Sequence, residues 1–266
     1  LSSYQFAQDP FTVKTNLQAA FVYRRNLAQP LLTPTQDLTK YNRKIALRSR
    51  SAMGIKILEE TESKEKIDAF ILNIFTSKQN LNPITIQEHF ELFFEDRAKW
   101  FYEAYCTDNG LTDYEIRQIG KFANQVHIEL TNHTNAQNPI KLNSYSKHQL
   151  VSSVWLPGGA VKQRLSFDQT KIDKIVLNPD QLVLEVNTNN NNILLNNSFT
   201  KRDRRFRLFE DIPSSHYVTT YVAPNLIYNA YDGVLMGMMI HNGLTLRQPT
   251  TVFFSPLYGS NEMTLS

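Results

Sequence analysis

Residues 212–261 read IPSSHYVTTYVAPNLIYNAYDGVLMGMMIHNGLTLRQPTTVFFSPLYGSN, and their only formal charges are Asp232 and Arg247. Apolar residues alternate with small and polar ones instead of running together, which is the period of a β-strand and not of a membrane helix. The stretch divides into Tyr217 to Asn229, Gly233 to His241 and Thr250 to Tyr258, each about the nine to eleven residues that a tilted strand needs to cross a bilayer. In the middle segment Val234, Met236, Met238 and Ile240 share one face, and Gly233, Gly237 and His241 the other, with Leu235 and Met239 blurring the contrast. That pattern fits a lipid-facing strand, and it also fits an antiparallel sheet buried in a soluble core. Lipid tolerates no unpaired strand edge, so three strands alone span nothing. On the membrane reading the sequence is a piece of a longer protein.

Upstream of this stretch lies Lys201-Arg202-Asp203-Arg204-Arg205-Phe206-Arg207, preceded by the asparagine-rich segment Asn187 to Asn197. A charge run of this kind is usually a solvated linker face. Placed directly before membrane strands, Lys201, Arg202, Arg204, Arg205 and Arg207 would instead sit at anionic headgroups, each cation contributing about 1 kcal/mol near a charged surface.

Residues 116–190 have the same period of two. Val126, Ile128 and Leu130 alternate with His127 and Glu129, and Ile140 to Leu142, Val151 to Leu156 and Ile175 to Leu177 follow with turn residues between them, which predicts a small β-sandwich. Leu156-Pro157-Gly158-Gly159 reads as a hairpin turn, since glycine supplies positive φ without steric cost. Lys162 lacks the spacing of a phosphate loop.

Before residue 116 the period is that of helices. Ser63 to Lys78 gathers Ile67, Phe70, Ile71, Ile74 and Phe75 on one stripe, predicting a core-facing helix. Thr85 and Glu88 match a capping box ahead of Ile86, Phe90, Phe93 and Phe94. Another helix is expected from Tyr41 to Glu60, after a loop at Pro30 to Pro34 that ends the N-terminal helix by Asn26. The architecture expected is therefore α+β and multidomain: an all-α helical segment at 1–115, a β-sandwich at 116–190, an Asn-rich and basic linker at 191–211, and the first strands of a membrane-type antiparallel β-barrel at 212–266.

Composition excludes more than it assigns. The chain has 266 residues, 41% hydrophobic and 20% charged, and a net charge of +3, which is too little to argue for a nucleic-acid partner. One cysteine, Cys106, permits no internal disulfide and reads as an inert thiol at a helix end. The N-terminus has no signal-peptide pattern, and no apolar run is long enough for a transmembrane helix.

Catalytic constellations are missing from these residues. The histidines, His89, His127, His133, His148, His216 and His241, show no H-E-x-x-H and no metal-ligand spacing. There is no nucleophile elbow, dinucleotide fingerprint or EF-hand loop. The carboxylates Glu88, Glu91, Glu95, Asp96 and Glu103 punctuate the solvated side of an amphipathic helix. No cofactor site is expected within the chain.

Several strings, in order, resemble one architecture. Asn26-Leu27-Ala28-Gln29-Pro30-Leu31-Leu32-Thr33-Pro34 through Leu38-Thr39-Lys40-Tyr41-Asn42, followed by the helix Ala46 to Leu58, is similar to the stretch after the zinc site in aminopeptidase-N-type gluzincins. Lys99-Trp100-Phe101-Tyr102 and Thr112-Asp113-Tyr114-Glu115-Ile116 resemble that family's last catalytic-domain helix and the start of its sandwich. Ile175-Val176-Leu177-Asn178-Pro179-Asp180 through Glu185-Val186-Asn187 resembles its sandwich-closing signature. Asn229-Ala230-Tyr231-Asp232-Gly233-Val234-Leu235-Met236-Gly237 and Phe254-Ser255-Pro256-Leu257-Tyr258-Gly259 are similar to the barrel that a Gram-negative outer-membrane branch of the family appends.

The resemblance implies a zinc site upstream of Leu1, with only the family's oxyanion-stabilising tyrosine falling inside this chain. At that position, in Arg48-Ser49-Arg50-Ser51-Ala52, stands Arg48. The function implied is a segment of an outer-membrane zinc-aminopeptidase-like protein in a Gram-negative cell envelope. Arg48 favours a catalytically degenerate scaffold or accessory subunit of an envelope complex. The alternatives are an active zinc aminopeptidase, with peptides as substrates, and a soluble β-sandwich binding module. Outer-membrane lipid is the first partner expected.

Overall fold

The computed structural model describes residues 10–43, 47–76, 82–134, 136–195 and 202–259. It is an α+β structure in which helices come first and antiparallel sheets follow. Helix α1 spans Pro10–Arg24, α2 Leu47–Thr61, α3 Lys64–Thr76, α4 Pro83–Phe94 and the short α5 Lys99–Phe101, which continues as a π-helical turn, Tyr102–Thr107. Residues 44–46 and 77–81 lie outside the described residues, so the parts of the expected helices at Ala46 and Lys78 are not covered.

Two local expectations are corrected. The cap of α4 is Asn82, whose Oδ1 accepts from the Ile84 and Thr85 amides at 2.9 and 3.1 Å, while Thr85 Oγ1 accepts from the Asn82 amide. Thr85 is thus the third helical residue of the box and not its first. Pro83 explains the shift, because its fixed φ and missing N–H suit the first helical position. The α3 stripe faces the core only in part. Ile67 is buried and Phe70 meets Phe90, Phe93 and Phe94 at ring separations of 5.2–5.5 Å, but Ile71 and Phe75 are exposed, Phe75 at 81%. The stripe runs past the aromatic residues of α4 that would cover it.

The loop after α1 and the end of the π-turn are tied together by Arg50 of α2. Its Nη1 donates to the Gln29 carbonyl at 2.9 Å and its Nη2 to those of Ala104 and Asp108 at 2.7 and 2.8 Å. Leu31 and Leu32 amides donate to the Tyr105 and Cys106 carbonyls. These carbonyls end a helix and have no intrahelical partners, so loop and arginine together cap it. Burial pushes the Cys106 thiol up to about 11, leaving little thiolate at neutral pH.

The sandwich has a three-stranded sheet in the order β1-β2-β5 (Tyr114–Phe122, Gln125–Asn132, Lys162–Asp168). Facing it is a four-stranded sheet in the order β4-β3-β6-β7 (Gln149–Leu156, Ile140–Ser146, Lys174–Leu177, Asn192–Leu194). Ile116, Ile128 and Leu130 from the first sheet and Ile140, Leu142, Ile175, Leu177 and Ile193 from the second share one core. The turn at 157–159 is not a hairpin, since β4 and β5 belong to different sheets. It carries the chain across the sandwich, with Gly159 at φ +81° and a Gly158 whose Cβ, if present, would strike the Gln137 carbonyl. The asparagine tract is not simply a linker either: Asn191 and Asn192 are fully buried and Asn192 opens β7.

Glu185 explains why asparagines are buried there. Its Oε1 accepts from the Tyr114 amide at 3.1 Å, and its Oε2 from Asn178 and Asn191 side chains at 2.7 and 2.5 Å. It therefore joins the start of β1 to the segment that closes the opposite sheet. Burial outweighs these donors and raises its carboxyl from 4.5 to about 7. Because the folded state holds this proton where the unfolded chain has lost it, the contribution is full below about pH 4.5 and is lost as pH rises through 7. The loss amounts to roughly 3 kcal/mol. Urea unfolding of the chain is expected to show a midpoint that falls across this window, and Glu185→Gln a lower but flatter one. Their difference isolates Glu185 from His216, whose pKa burial lowers and whose contribution runs the opposite way. A wild-type midpoint that tracks Glu185→Gln at every pH would refute the assignment.

The C-terminal sheet is ordered β11-β10-β9-β8, with β12 also pairing β10. Its strands are β8 Arg204–Leu208, β9 Val218–Asn229, β10 Gly233–His241, β11 Phe253–Phe254 and β12 Leu257–Gly259. The first two expected segments are long strands. The third is two short ones, because Pro256 between them has no N–H to give the ladder. Strand β8, from the basic run, pairs parallel with β9. Among the described residues these strands form an open sheet and no closed barrel, and no helix is long and apolar enough to cross a membrane.

Candidate functional site: the apolar face of the C-terminal sheet

Strands β9 and β10 meet at a turn that fixes their register. Asn229 Oδ1 accepts from the Tyr231 and Asp232 amides at 2.8 Å, and Gly233 supplies φ +69°. From there Val234 lies opposite Tyr228, Met236 opposite Leu226, Met238 opposite Pro224 and Ile240 opposite Val222. On the other side of β10, Met236 also pairs Tyr258 and Ile240 pairs Phe254. On the other side of β9, Val222 pairs Leu208 and Thr220 pairs Phe206. Directly paired residues project to the same side of a sheet. One face is therefore apolar from Phe206 and Leu208 through Leu226 and Met236 to Phe254 and Tyr258.

This face is exposed. Met236 and Met238 are each 52% accessible, Leu226 69% and Phe206 78%, and Val234 and Ile240 are exposed as well. The opposite face is covered towards its His241 end, while Ile227 beside Leu235 is 46% accessible. Leu235 is 6% accessible, and Tyr221 and His241 are buried with rings 5.5 Å apart. The loop after β10 folds over them, held by Glu210, whose carboxylate accepts the Leu244 and Thr245 amides at 2.9–3.1 Å, and by buried Leu246. Alternation in the sequence thus becomes a difference in burial between two faces. Leu235 and Met239, which blurred the pattern, are on the covered side and not on the open one, Leu235 buried and Met239 half-buried.

The basic run divides. Lys201 lies outside the described residues. Arg202 reaches back to the sandwich, donating to the carbonyls of Asn190, Asn192 and Ile116, and stands 3.7 Å from Glu115. Arg205 donates to Thr219 Oγ1 at 2.8 Å and sits over the Tyr217 ring, as Lys174 does beside its ion pair with Asp203. Arg202 and the Lys174–Asp203 pair therefore work as stitches between sandwich and sheet, Arg205 is held within the sheet, and Arg207 is half-buried. Arg204 is exposed and in register with Val218, at the end of the apolar face.

Arg48 is exposed on α2, while Arg50, two residues on, faces inward. Among the described residues no three histidine, cysteine, aspartate or glutamate side chains gather as a metal site. Sequence reading found the β10 face but missed Phe206, Leu226, Phe254 and Tyr258 as its continuation. The alternation of β9 was visible. Its phase relative to β10 was not, because that depends on where the turn at 229–233 places the pairing.

No protein-family model and no curated protein matches the chain. Among solved structures it is similar to the crystal structure of Legionella pneumophila aminopeptidase A in complex with aspartic acid, with 12% identity and a TM-score of 0.44, over 53% of this chain and 18% of that one.

Proposed function

We propose that the chain forms the helical, sandwich and first barrel-strand portion of an outer-membrane zinc-aminopeptidase-like protein, serving as a catalytically degenerate scaffold or accessory subunit of an envelope complex. In this reading the C-terminal sheet meets lipid. The observation that carries it is the registered apolar face centred on Met236, open over five strands and backed by a covered one. Contiguous exposed apolar surface of this extent marks a membrane or partner contact. Lipid also requires the open edges of the sheet to be paired by further strands, from the parent protein or from a second copy. The scaffold half of the proposal rests on the resemblance, in which Arg48 takes the place of the family's tyrosine; Arg48 is exposed on α2.

Density-gradient flotation with vesicles of phosphatidylethanolamine and phosphatidylglycerol tests the lipid contact. The chain is expected to rise with the vesicles and to resist an alkaline carbonate wash. A chain that stays monodisperse in buffer and sediments away from lipid would instead be the soluble sandwich module. For the parent protein, stoichiometric zinc together with peptide hydrolysis would overturn the scaffold role.

A further inference from the structure

Away from the sheet face, a cavity of about 370 Å³ lies where α1, α2, the closing segment of the sandwich and the C-terminal loops meet. Its walls include Ala20, Met53, Val183 and Leu246, with Arg24, Thr188, Asp180, Gln181 and Glu185 as polar members. The volume is within the range of about 300–1,000 Å³ that small-molecule sites occupy.

Arg24 is unusual there. It is only 7% accessible, and its Nε donates to the Glu185 carbonyl at 3.1 Å and its Nη2 to Thr188 Oγ1 at a long 3.4 Å. No ion pair among the described residues includes it, and Nη1 has no partner among them. The nearby Glu185 carboxylate is already occupied by the Tyr114 amide and two asparagines. Asp180, also in the wall, is held by Lys141 at 2.7 Å. A buried guanidinium without an ion pair costs several kcal/mol, and a planar fork of N–H donors in a cavity wall is shaped for a carboxylate.

We propose that this cavity binds a small organic monocarboxylate, its head on Arg24 and Thr188 and its apolar body against Ala20, Met53, Val183 and Leu246. One guanidinium and one hydroxyl match a single negative charge. A phosphate carries more charge and needs more donors than the wall offers. Because the walls come from the helical part, the sandwich and the C-terminal loop, an occupant would hold the three together. This site is independent of the lipid contact.

Isothermal titration calorimetry of the full chain with hexanoate and benzoate tests it, with hexanamide and inorganic phosphate as comparison probes. Saturable binding of the two carboxylates is expected, with hexanamide and phosphate about tenfold or more weaker, and Arg24→Gln is expected to weaken the carboxylates by a similar factor. Equal binding by Arg24→Gln, or no carboxylate binding by the folded wild type, overturns the proposal. Tighter binding of phosphate than of hexanoate overturns the carboxylate assignment. Should Arg24→Gln fail to fold, Ala20→Phe fills the cavity without touching the guanidinium, and retained hexanoate binding in that variant overturns the proposal as well.

Discussion

Replacing Met236 by arginine is expected to abolish flotation of the chain with vesicles while leaving its unfolding in urea nearly unchanged. Met236 is half exposed and lies between Leu226 and Tyr258, near the centre of the apolar face. In water a cation there costs little, since surface substitutions usually fall within about 0.5 kcal/mol. On the lipid side of a membrane strand the same cation costs about 2–4 kcal/mol at the midplane, which is roughly a thirtyfold or greater loss of partition. Leu235→Arg makes the converse test one residue away. It places the charge on the covered face and is expected to unfold the sheet with or without lipid. Vesicle flotation of Met236→Arg at the wild-type level would remove this face from the membrane.

The largest loss of stability is expected at Arg50. Arg50→Met keeps much of the side-chain volume but leaves the carbonyls of Gln29, Ala104 and Asp108 without their donor. Removing one partner of a buried charged hydrogen-bond set costs about 3–5 kcal/mol, because the carbonyls lose water on folding and gain nothing in return. Arg50→Lys is expected to recover only part of this, since one ammonium cannot span carbonyls that a planar fork bridges. Arg48→Met, on the exposed side of the same helix, is expected to be neutral within about 0.5 kcal/mol. Urea midpoints of the three variants against wild type check the order, and a loss at Arg48 equal to that at Arg50 would contradict the placement of α2.

Local pattern carried much of the architecture. The period of two in Val126, Ile128 and Leu130 and in Val234 to Ile240 placed strands, and the period of 3.6 placed helices, because each follows from backbone geometry alone. The errors came where a second segment decides. Phe75 and Ile71 share a helix stripe with Ile67, yet only Ile67 is buried, since α3 extends beyond its partners. The glycines at 158 and 159 announced a turn but not that it would join two sheets. The basic run looked like one charged face, and it is divided because Arg202 finds a carbonyl of the distant strand β1 while Arg205 turns to the Tyr217 ring beside β9.

By itself, then, the sequence determined the order of helices, sandwich and charge-poor strands, and the face of β10 that carries Val234, Met236, Met238 and Ile240. Those properties depend on neighbours three or four residues away at most. Only the tertiary structure decided that this face continues through Phe206, Leu226 and Phe254, that Glu185 gathers Tyr114 with two asparagines, and that Arg24 is buried in a cavity wall without an ion pair among the described residues. Each of these depends on contacts between segments far apart in the chain, where pairing register and desolvation, and not local period, set which groups meet.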